Sequence, residues 1–313
     1  MAAIRKPRRI FIRLLALLLC SACWVGAIVL FMGTSRKKPE EKIPEKQQVS
    51  IAQMPVDFVD HVSLNFEDLL VWQKPEEEAK LVRVGNYILD LSHLSEGYFL
   101  AKQEEGPEDL KLRVVKGNSV YTYDLKGVGE FEAFPLQLGD GAYDFQVYKN
   151  VVGNKYSKEA EVELDVSLNS EYAPFLCSSE YVNYTSESPA VKMSKQLCQG
   201  VDSDEEKLKI IRIFIRENFT YDYERARTIR EAYRGDADKC FETRTGLCQD
   251  FAVMLASMLR VQGIPTKMVI GYTGNTCHAW NMVLIDGEFR LVDVTAELGG
   301  RERFDSYTST HFY

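Results

Sequence analysis

Three residues in the C-terminal part of the sequence have the side chains of a thiol nucleophile, a base and an orienting acid: Cys248, His278 and Asp293. A cysteine attacks as its thiolate, and the unpaired N–H groups and positive dipole end of a helix N-terminus favour that form. Cys248 falls in the first turn of a predicted helix, for which Thr245 is the expected N-cap and Gly263 the expected C′ residue. The pattern therefore predicts a nucleophile at a helix start.

His278 and Asp293 lie on a predicted β-hairpin that follows this helix. Strands are expected over three segments: Thr266 to Tyr272, His278 to Ile285 and Glu288 to Thr295. Asp286-Gly287 is a strong signal for a two-residue turn. With such a turn Trp280 faces Asp293, so His278 and Asp293 become diagonal neighbours on one face of the sheet. An odd-length turn would reverse the parity and separate them.

Several sequence blocks around these residues closely resemble the transglutaminase-like superfamily, in its bacterial and often surface-exposed branch. The blocks run from Thr245 to Ala252, Leu259 to Thr266, His278 to Asn281 and Asp293 to Thr295. The resemblance implies a papain-related α+β core in which Cys248 is the nucleophile, His278 the general base and acid, and Asp293 the residue that orients the histidine. A looser resemblance over residues 87–168 implies the β-domain that accompanies this branch.

The sequence also departs from the family pattern. Val294 stands where the family usually has proline after the aspartate, a change that affects the backbone more than the chemistry. The backbone N–H of Cys248 is one candidate donor to an oxyanion, but no second donor is identified. No EF-hand-like loop is present, so the calcium dependence of animal transglutaminases is not implied. We expect no cofactor and no metal site.

The N-terminus has the pattern of a membrane anchor. A basic cluster precedes an uncharged apolar run from Leu14 to Thr34, which is long enough for a helix to cross a bilayer. The cluster consists of Arg5, Lys6, Arg8, Arg9 and Arg13. The basic flank should remain in the cytoplasm, which places the C-terminal domains outside a cell membrane crossed once. A signal peptide cleaved near Cys20-Ser21-Ala22 and a lipoprotein processed at Cys23 are the alternatives.

The rest of the chain divides by composition. After a cytoplasmic tip and transmembrane anchor (1–34) we expect a charged stalk (35–55), a β-rich domain (56–170) and the transglutaminase-like domain (171–313). In the β-rich part, strands with period two and turn residues between them predict a small antiparallel β-sandwich. These strands are Leu110 to Val115, Ser119 to Leu125, Tyr143 to Tyr148 and Ala160 to Val166. Further helices are expected after the capping box Ser203/Glu206 and from Tyr223 to Tyr233.

The cysteines outside the anchor allow a disulfide hypothesis. If Cys248 stays free, four cysteines remain in a compartment that permits disulfides. We expect the pairs Cys177–Cys198 and Cys240–Cys277, although sequence cannot fix connectivity and four independent thiols are the alternative. Zinc bound by Cys240, Cys248, Cys277 and His278 is a further alternative, but the paired Cys-x-x-Cys spacing is missing.

The expected function is thiol acyl chemistry on peptide or protein amides outside the membrane, with cell-wall peptides or surface proteins as partners by location. The net charge of −8 argues against nucleic acid, which needs a clustered basic face. Two other classes stay open. One is a surface binding or scaffold module that retains the fold without turnover, and the other is a regulatory domain that binds peptides in the cleft.

Overall fold

The computed structural model describes residues 80–84, 86–104, 109–125, 129–229 and 233–313. The predicted anchor, the charged stalk and residues 56–79 of the predicted β-rich domain lie outside these ranges. Across the described ranges, no helix is both long enough and apolar enough to cross a bilayer. The described part is a mixed α/β structure with antiparallel sheets.

The β-rich part, where it is described, has eight strands in two antiparallel sheets. The strands are β1 Leu81–Val84, β2 Tyr87–Asp90, β3 Tyr98–Gln103, β4 Leu110–Lys116, β5 Ser119–Leu125, β6 Glu132–Pro135, β7 Gly141–Val152 and β8 Lys155–Val166. The strand order is β1-β2-β3-β6 in one sheet and β5-β4-β7-β8 in the other. The two sheets meet through buried aromatic rings, because Phe99 of the first contacts Phe145 of the second edge-on at 4.7 Å.

The four strands predicted in this part are present, but the last two are longer than their patterns indicate. Tyr143, Phe145 and Val147 alternate as buried residues, which is the period that predicts the strand. Beyond them the β7–β8 hairpin continues outward, where Val151 and Val152 are 66% and 64% exposed. Neither face is buried there, so the alternation that marks a strand in the sequence is lost.

The α-helical part begins with residues for which no helix was predicted. The helices are α1 Pro189–Leu197, α2 Asp204–Asn218, α3 Tyr223–Thr228, α4 Ala237–Thr243, α5 Cys248–Arg260 and α6 Val294–Leu298, and short 3-10 turns cover Leu94–Glu96 and Ala173–Phe175. Ser203 caps α2 as predicted and accepts the N–H of Glu206. Helix α3 ends at Thr228 and not at Tyr233, because Ile229 has an extended backbone.

A four-stranded antiparallel sheet packs against α5. Its strands are β11 Thr266–Thr273, β12 Thr276–Ile285, β13 Glu288–Val292 and β14 Thr308–Phe312, in the order β13-β12-β11-β14. Two short strands, β9 Thr220–Tyr221 and β10 Thr245–Gly246, pair in parallel just before α5. Every residue of α5 from Asp250 to Arg260 is buried. The helix that begins at Cys248 is therefore held by packing along most of its length.

The β12–β13 hairpin has the predicted two-residue turn. Asp286 and Gly287 have φ values of 54° and 80°, as the type I′ turn requires. The prediction that the second strand runs to Thr295 is wrong: β13 ends at Val292 and the ladder stops at the pair Asn281–Val292. The chain turns into α6 there, so Trp280 and Asp293 are not a ladder pair.

Arg260, at the end of α5, links this helix to three other segments. Its guanidinium is 2% exposed and donates to the backbone oxygens of Thr266, Cys177 and Tyr313. These carbonyls belong to β11, to the segment before α1 and to the end of β14. Burial lowers the pKa of Arg260, and the three acceptors compensate for the water that its charge loses.

Candidate active site

Cys248 is the first residue of α5 and is partly buried. The N-cap is Leu247 and not Thr245, because Thr245-Gly246 forms β10 against β9. Gly263 has the positive φ expected of a helix stop, 77°, but the C-cap is Val261, so the glycine occupies C″ and not the C′ position predicted for it. Cys248 nevertheless occupies the predicted place, in the first turn with the N-terminal dipole.

Asp250 links the start of α5 to the segment before α4. Its Oδ2 accepts the N–H of Leu247 at 2.7 Å, and its Oδ1 accepts the N–H of Asp236 at 2.8 Å. Tyr233 donates its hydroxyl to Oδ1 and Arg225 approaches Oδ2 at 3.4 Å. This fully buried carboxylate was not predicted as a functional residue, although an acid three positions after the N-cap is a known capping signal.

His278 and Asp293 meet as predicted, by a different route. The Nε2 atom of His278 lies 2.8 Å from Oδ2 of Asp293, and the two side chains are 7% and 1% exposed. The aspartate reaches the histidine from the N-cap of α6 and not from a strand position. The side chain of Cys248 interacts with His278 closely enough to raise the pKa of the imidazole. Because Nε2 faces Asp293, Nδ1 is the ring nitrogen left for the cysteine.

The two oxygens of Asp293 have separate partners. Oδ1 accepts the N–H of Ala296 at 3.0 Å and so caps α6. Oδ2 accepts from the Tyr307 hydroxyl at 2.7 Å in addition to contacting His278. The backbone N–H of Phe304 donates to the Tyr307 oxygen at 2.9 Å, which holds the phenol in place. No motif in the sequence singles out Tyr307, which reaches the site only through the fold of the segment before β14.

The environment of His278 favours its charged form. Burial alone would lower the pKa of His278, but hydrogen bonds to Asp293 and Cys248 and the negative charge of both raise it to about 9. An imidazolium between a carboxylate and a thiolate is the arrangement that activates a cysteine nucleophile.

Aromatic rings surround the His278 imidazole. Trp280 is stacked with it at 6.1 Å between centroids, and Phe304 meets it edge-on at 5.1 Å. Gly271 on β11 leaves room for this arrangement, because a Cβ there would lie 2.8 Å from Trp280 and 2.0 Å from the Thr308 carbonyl oxygen. The rings exclude water from one side of the His278–Asp293 pair.

A cleft with a volume of about 540 Å³ opens beside His278. Its walls include Tyr221, Thr273, Cys277, Thr295, Arg301 and Phe304. The walls carry hydroxyl, thiol, guanidinium and aromatic groups, so the cleft offers both hydrogen bonds and apolar contact to a bound chain.

The predicted disulfides are not formed. Cys177, Cys198 and Cys240 are buried thiols, and burial raises the pKa of Cys177 and Cys198 to about 12. Cys240 packs under Gly246, whereas Cys277 is exposed on β12, so the segment containing Cys240 is held by packing and not by a cross-link. Zinc is not supported either: within the described ranges, no three His, Cys, Asp or Glu side chains converge as a metal site.

Comparison with known proteins agrees with the resemblance seen in the motifs. The family model of the transglutaminase-like superfamily matches residues 191–294. The kyphoscoliosis peptidase of Mus musculus is 30% identical over 117 residues, which cover 33% of this chain and 17% of the mouse protein. The chain therefore matches less than a fifth of that relative's length.

Two solved structures show more distant similarity. A candidate cysteine protease from Cytophaga hutchinsonii is 15% identical, with 69% of this chain and 91% of that chain covered and a TM-score of 0.34. A crystal structure described as a TGase is 20% identical, with 51% and 46% covered and a TM-score of 0.32. On the family match, the part of the chain that holds Cys248, His278 and Asp293 belongs to the transglutaminase-like superfamily.

Proposed function

We propose that this protein is a thiol enzyme that acts on peptide or protein amides through a Cys248 thioester. The observation that carries the proposal is the position of the His278 ring, which lies 2.8 Å from Asp293 and interacts with Cys248, the first residue of α5. A buried imidazole held between a carboxylate and a thiol at a helix start has the geometry of a nucleophile, its base and the group that orients the base.

In the proposed reaction, the Cys248 sulfur bonds to the carbonyl carbon of the amide. The C–N bond then breaks, the His278 proton moves to the leaving nitrogen, and a thioester remains. Water or an amine next attacks the thioester, gives its proton to His278 and releases the sulfur as thiolate. Asp293 keeps the ring oriented and stabilises its positive charge throughout.

Water and amine lead to different activities from the same thioester. Attack by water gives a peptidase or deamidase, and attack by a lysine-like amine gives a cross-link. The name of the mouse relative, a peptidase, supports the peptidase outcome over a match that covers 17% of that protein. Incorporation of a dansyl-labelled alkylamine into a glutamine-containing protein, measured against release of ammonia and of new amino termini, distinguishes the three.

We also propose that residues 1–34 anchor the chain in a cell membrane, with the C-terminal domains outside. The basic cluster before Leu14 and the uncharged run to Thr34 support this topology. Cell-wall peptides or surface proteins would then be the partners. Protease added to intact cells should remove the C-terminal domains and leave a membrane-bound N-terminal fragment; protection of the whole chain would contradict this topology.

The test of the catalytic proposal is the rate at which iodoacetamide alkylates Cys248 across pH, beside the variants His278→Ala and Cys248→Ala. Because Cys277 is also exposed, adducts must be assigned to residues by peptide mass mapping. Rapid labelling of Cys248 at about pH 6, slowed in His278→Ala, is expected for a thiolate paired with an imidazolium.

The opposite result would support a module without catalysis. If labelling of Cys248 rises only near the ordinary thiol pKa of about 8.5 and does not depend on His278, no working pair exists. Peptide binding by Cys248→Ala would then distinguish a peptide-binding regulatory domain from a scaffold.

A further inference from the structure

Attack of Cys248 on an amide leaves a negative charge on the carbonyl oxygen, and that charge needs more than one hydrogen-bond donor. The backbone N–H of Cys248 can be one donor, because the first residue of a helix has no intrahelical acceptor. A second donor must lie near the sulfur, within reach of the oxygen of the bound carbonyl.

Tyr221 lies beside the nucleophile. It pairs with Gly246 across the parallel β9–β10 bridge, two residues before Cys248. The N–H of Asp222 donates to the Gly246 carbonyl at 2.9 Å and fixes this alignment. The Tyr221 side chain is a wall of the same cleft as His278. The position of Tyr221 relative to Cys248 is therefore set by backbone pairing and not by a mobile loop.

The Tyr221 hydroxyl is available as a donor. Its ring meets Tyr223 edge-on at 5.0 Å, and within the described part of the chain the hydroxyl makes no hydrogen bond. Burial, together with the nearby charge of Cys248, raises the pKa of Tyr221 to about 12. The phenol is thus protonated at neutral pH and close enough to interact with charge on the sulfur.

We propose that the Tyr221 hydroxyl and the backbone N–H of Cys248 together form the oxyanion site. This inference rests on the proposed thiol chemistry. As the sulfur–carbon bond forms, the π electrons of the carbonyl move to its oxygen, which accepts hydrogen bonds from both donors. When the C–N bond breaks, those electrons restore the carbonyl and the His278 proton leaves with the nitrogen. Tyr221 keeps its proton throughout, so it acts as a catalytic residue through its hydrogen bond alone.

Two probes of one sulfur test this role. p-Nitrophenyl acetate acylates a thiolate through an oxyanion, whereas iodoacetamide alkylates it by displacement at a saturated carbon without one. We compare Tyr221→Phe with the wild type, with Cys248→Ala and with a matched control, Tyr272→Phe. Tyr272 is 45% exposed on β11, so its hydroxyl is lost without change to the cleft.

The Cys248-dependent burst of nitrophenolate should fall about 10²-fold in Tyr221→Phe, while alkylation of Cys248 stays within about twofold and Tyr272→Phe matches the wild type. An unchanged burst in Tyr221→Phe overturns the inference and leaves the proposed function standing. A parallel fall in both rates also overturns it, because Tyr221 would then position Cys248. A wild-type burst no larger than that of Cys248→Ala removes the proposed function itself, and this inference with it.

The phenylalanine ring in Tyr221→Phe retains the contact with Tyr223. An alkylation rate close to that of the wild type therefore also shows that the variant is folded. A second measurement uses the hemithioacetal that acetaldehyde forms with Cys248, in which the former carbonyl oxygen takes the place of the oxyanion. Acetaldehyde should protect Cys248 from iodoacetamide at a lower concentration in the wild type than in Tyr221→Phe. Equal protection in the two proteins would contradict the role of Tyr221.

Discussion

The Tyr307 hydroxyl and the His278 ring contact the same oxygen of Asp293, at 2.7 Å and 2.8 Å. The phenol donates to this oxygen and is itself held by the N–H of Phe304. Asp293 is therefore fixed by a third residue before it orients the histidine, as outer partners fix ligands and bases in other sites.

Removing this phenol should weaken the site without dismantling it. In Tyr307→Phe the ring contact with Trp280 remains, while one hydrogen bond to Asp293 is lost. A hydrogen bond of this kind contributes about 1 kcal/mol, so Cys248 alkylation at about pH 6 should slow about fivefold. Tyr272→Phe is the control, and equal rates for the two variants would show that Tyr307 does not position Asp293.

Two substitutions distinguish the roles of the two Asp293 oxygens. Asn retains a cap for the Ala296 N–H but lacks the charge, whereas Ala loses both. Acylation should fall on the order of 10²-fold or more in both variants. In urea unfolding, Asp293→Asn should be more stable than Asp293→Ala by about 1 kcal/mol. Equal stabilities would mean that the cap contributes nothing.

The free energy of unfolding should depend on pH through His278. Its folded-state pKa is raised to about 9, because bonds and charges from Asp293 and Cys248 outweigh burial, and its unfolded value is about 6.5. A raised pKa stabilises the protein fully below about pH 6.5, and this stability is lost as the pH rises through about 9. The free energy of unfolding, measured in urea, should fall more between pH 6 and pH 9.5 in the wild type than in His278→Gln, by at most about 3 kcal/mol. Parallel pH dependence would contradict the raised pKa.

Asp250 should matter for stability more than any exposed acid nearby. Asp250→Ala leaves the buried N–H of Leu247, the N–H of Asp236 and the Arg225 charge without this acceptor. The free energy of unfolding should fall by about 3 kcal/mol or more, and Cys248 alkylation should slow because its helix start is no longer fixed. Glu224→Ala, at an 84% exposed side chain on α3, is the control. A loss no larger than the control's would contradict this.

The cysteines should differ in their reactivity toward iodoacetamide according to their burial. After brief treatment of the folded protein with iodoacetamide, peptide mapping should find adducts at Cys248 and Cys277, because both are accessible. Cys177, Cys198 and Cys240 should react only after unfolding, since burial raises the pKa of each thiol. Resistance of Cys240 after unfolding without reductant would instead indicate the disulfide that the structure lacks.

The sequence predicts the elements that carry the site because each has a local signal. Cys248 follows turn residues and begins an apolar helical period, and Asp286-Gly287 alone specifies a type I′ hairpin. His278 and Asp293 could be brought together from hairpin register even though β13 ends early, since the N-cap of α6 lies one residue past the strand. Local rules tolerate such errors when the residues concerned are close along the chain.

The partners that come from distant segments could not be predicted. Tyr307 lies 14 residues after Asp293 in a segment without period, and Tyr221 reaches Cys248 through a two-residue parallel bridge. Such contacts depend on how whole elements pack, which hydrophobic periodicity does not encode. The disulfide prediction is wrong for a related reason. A count of cysteines does not indicate whether packing alone stabilises the segments that carry them.

The position of β14 has a consequence for how the protein is made. Thiol, imidazole and carboxylate are all synthesised before Tyr307 and before β14, which pairs with β11 against Gly271. A nascent chain that has emerged only as far as α6 therefore contains the three reactive groups but lacks the strand and the phenol that order them. The contacts that Tyr307 and β14 contribute to the site therefore form only after the last residues of this region have been synthesised.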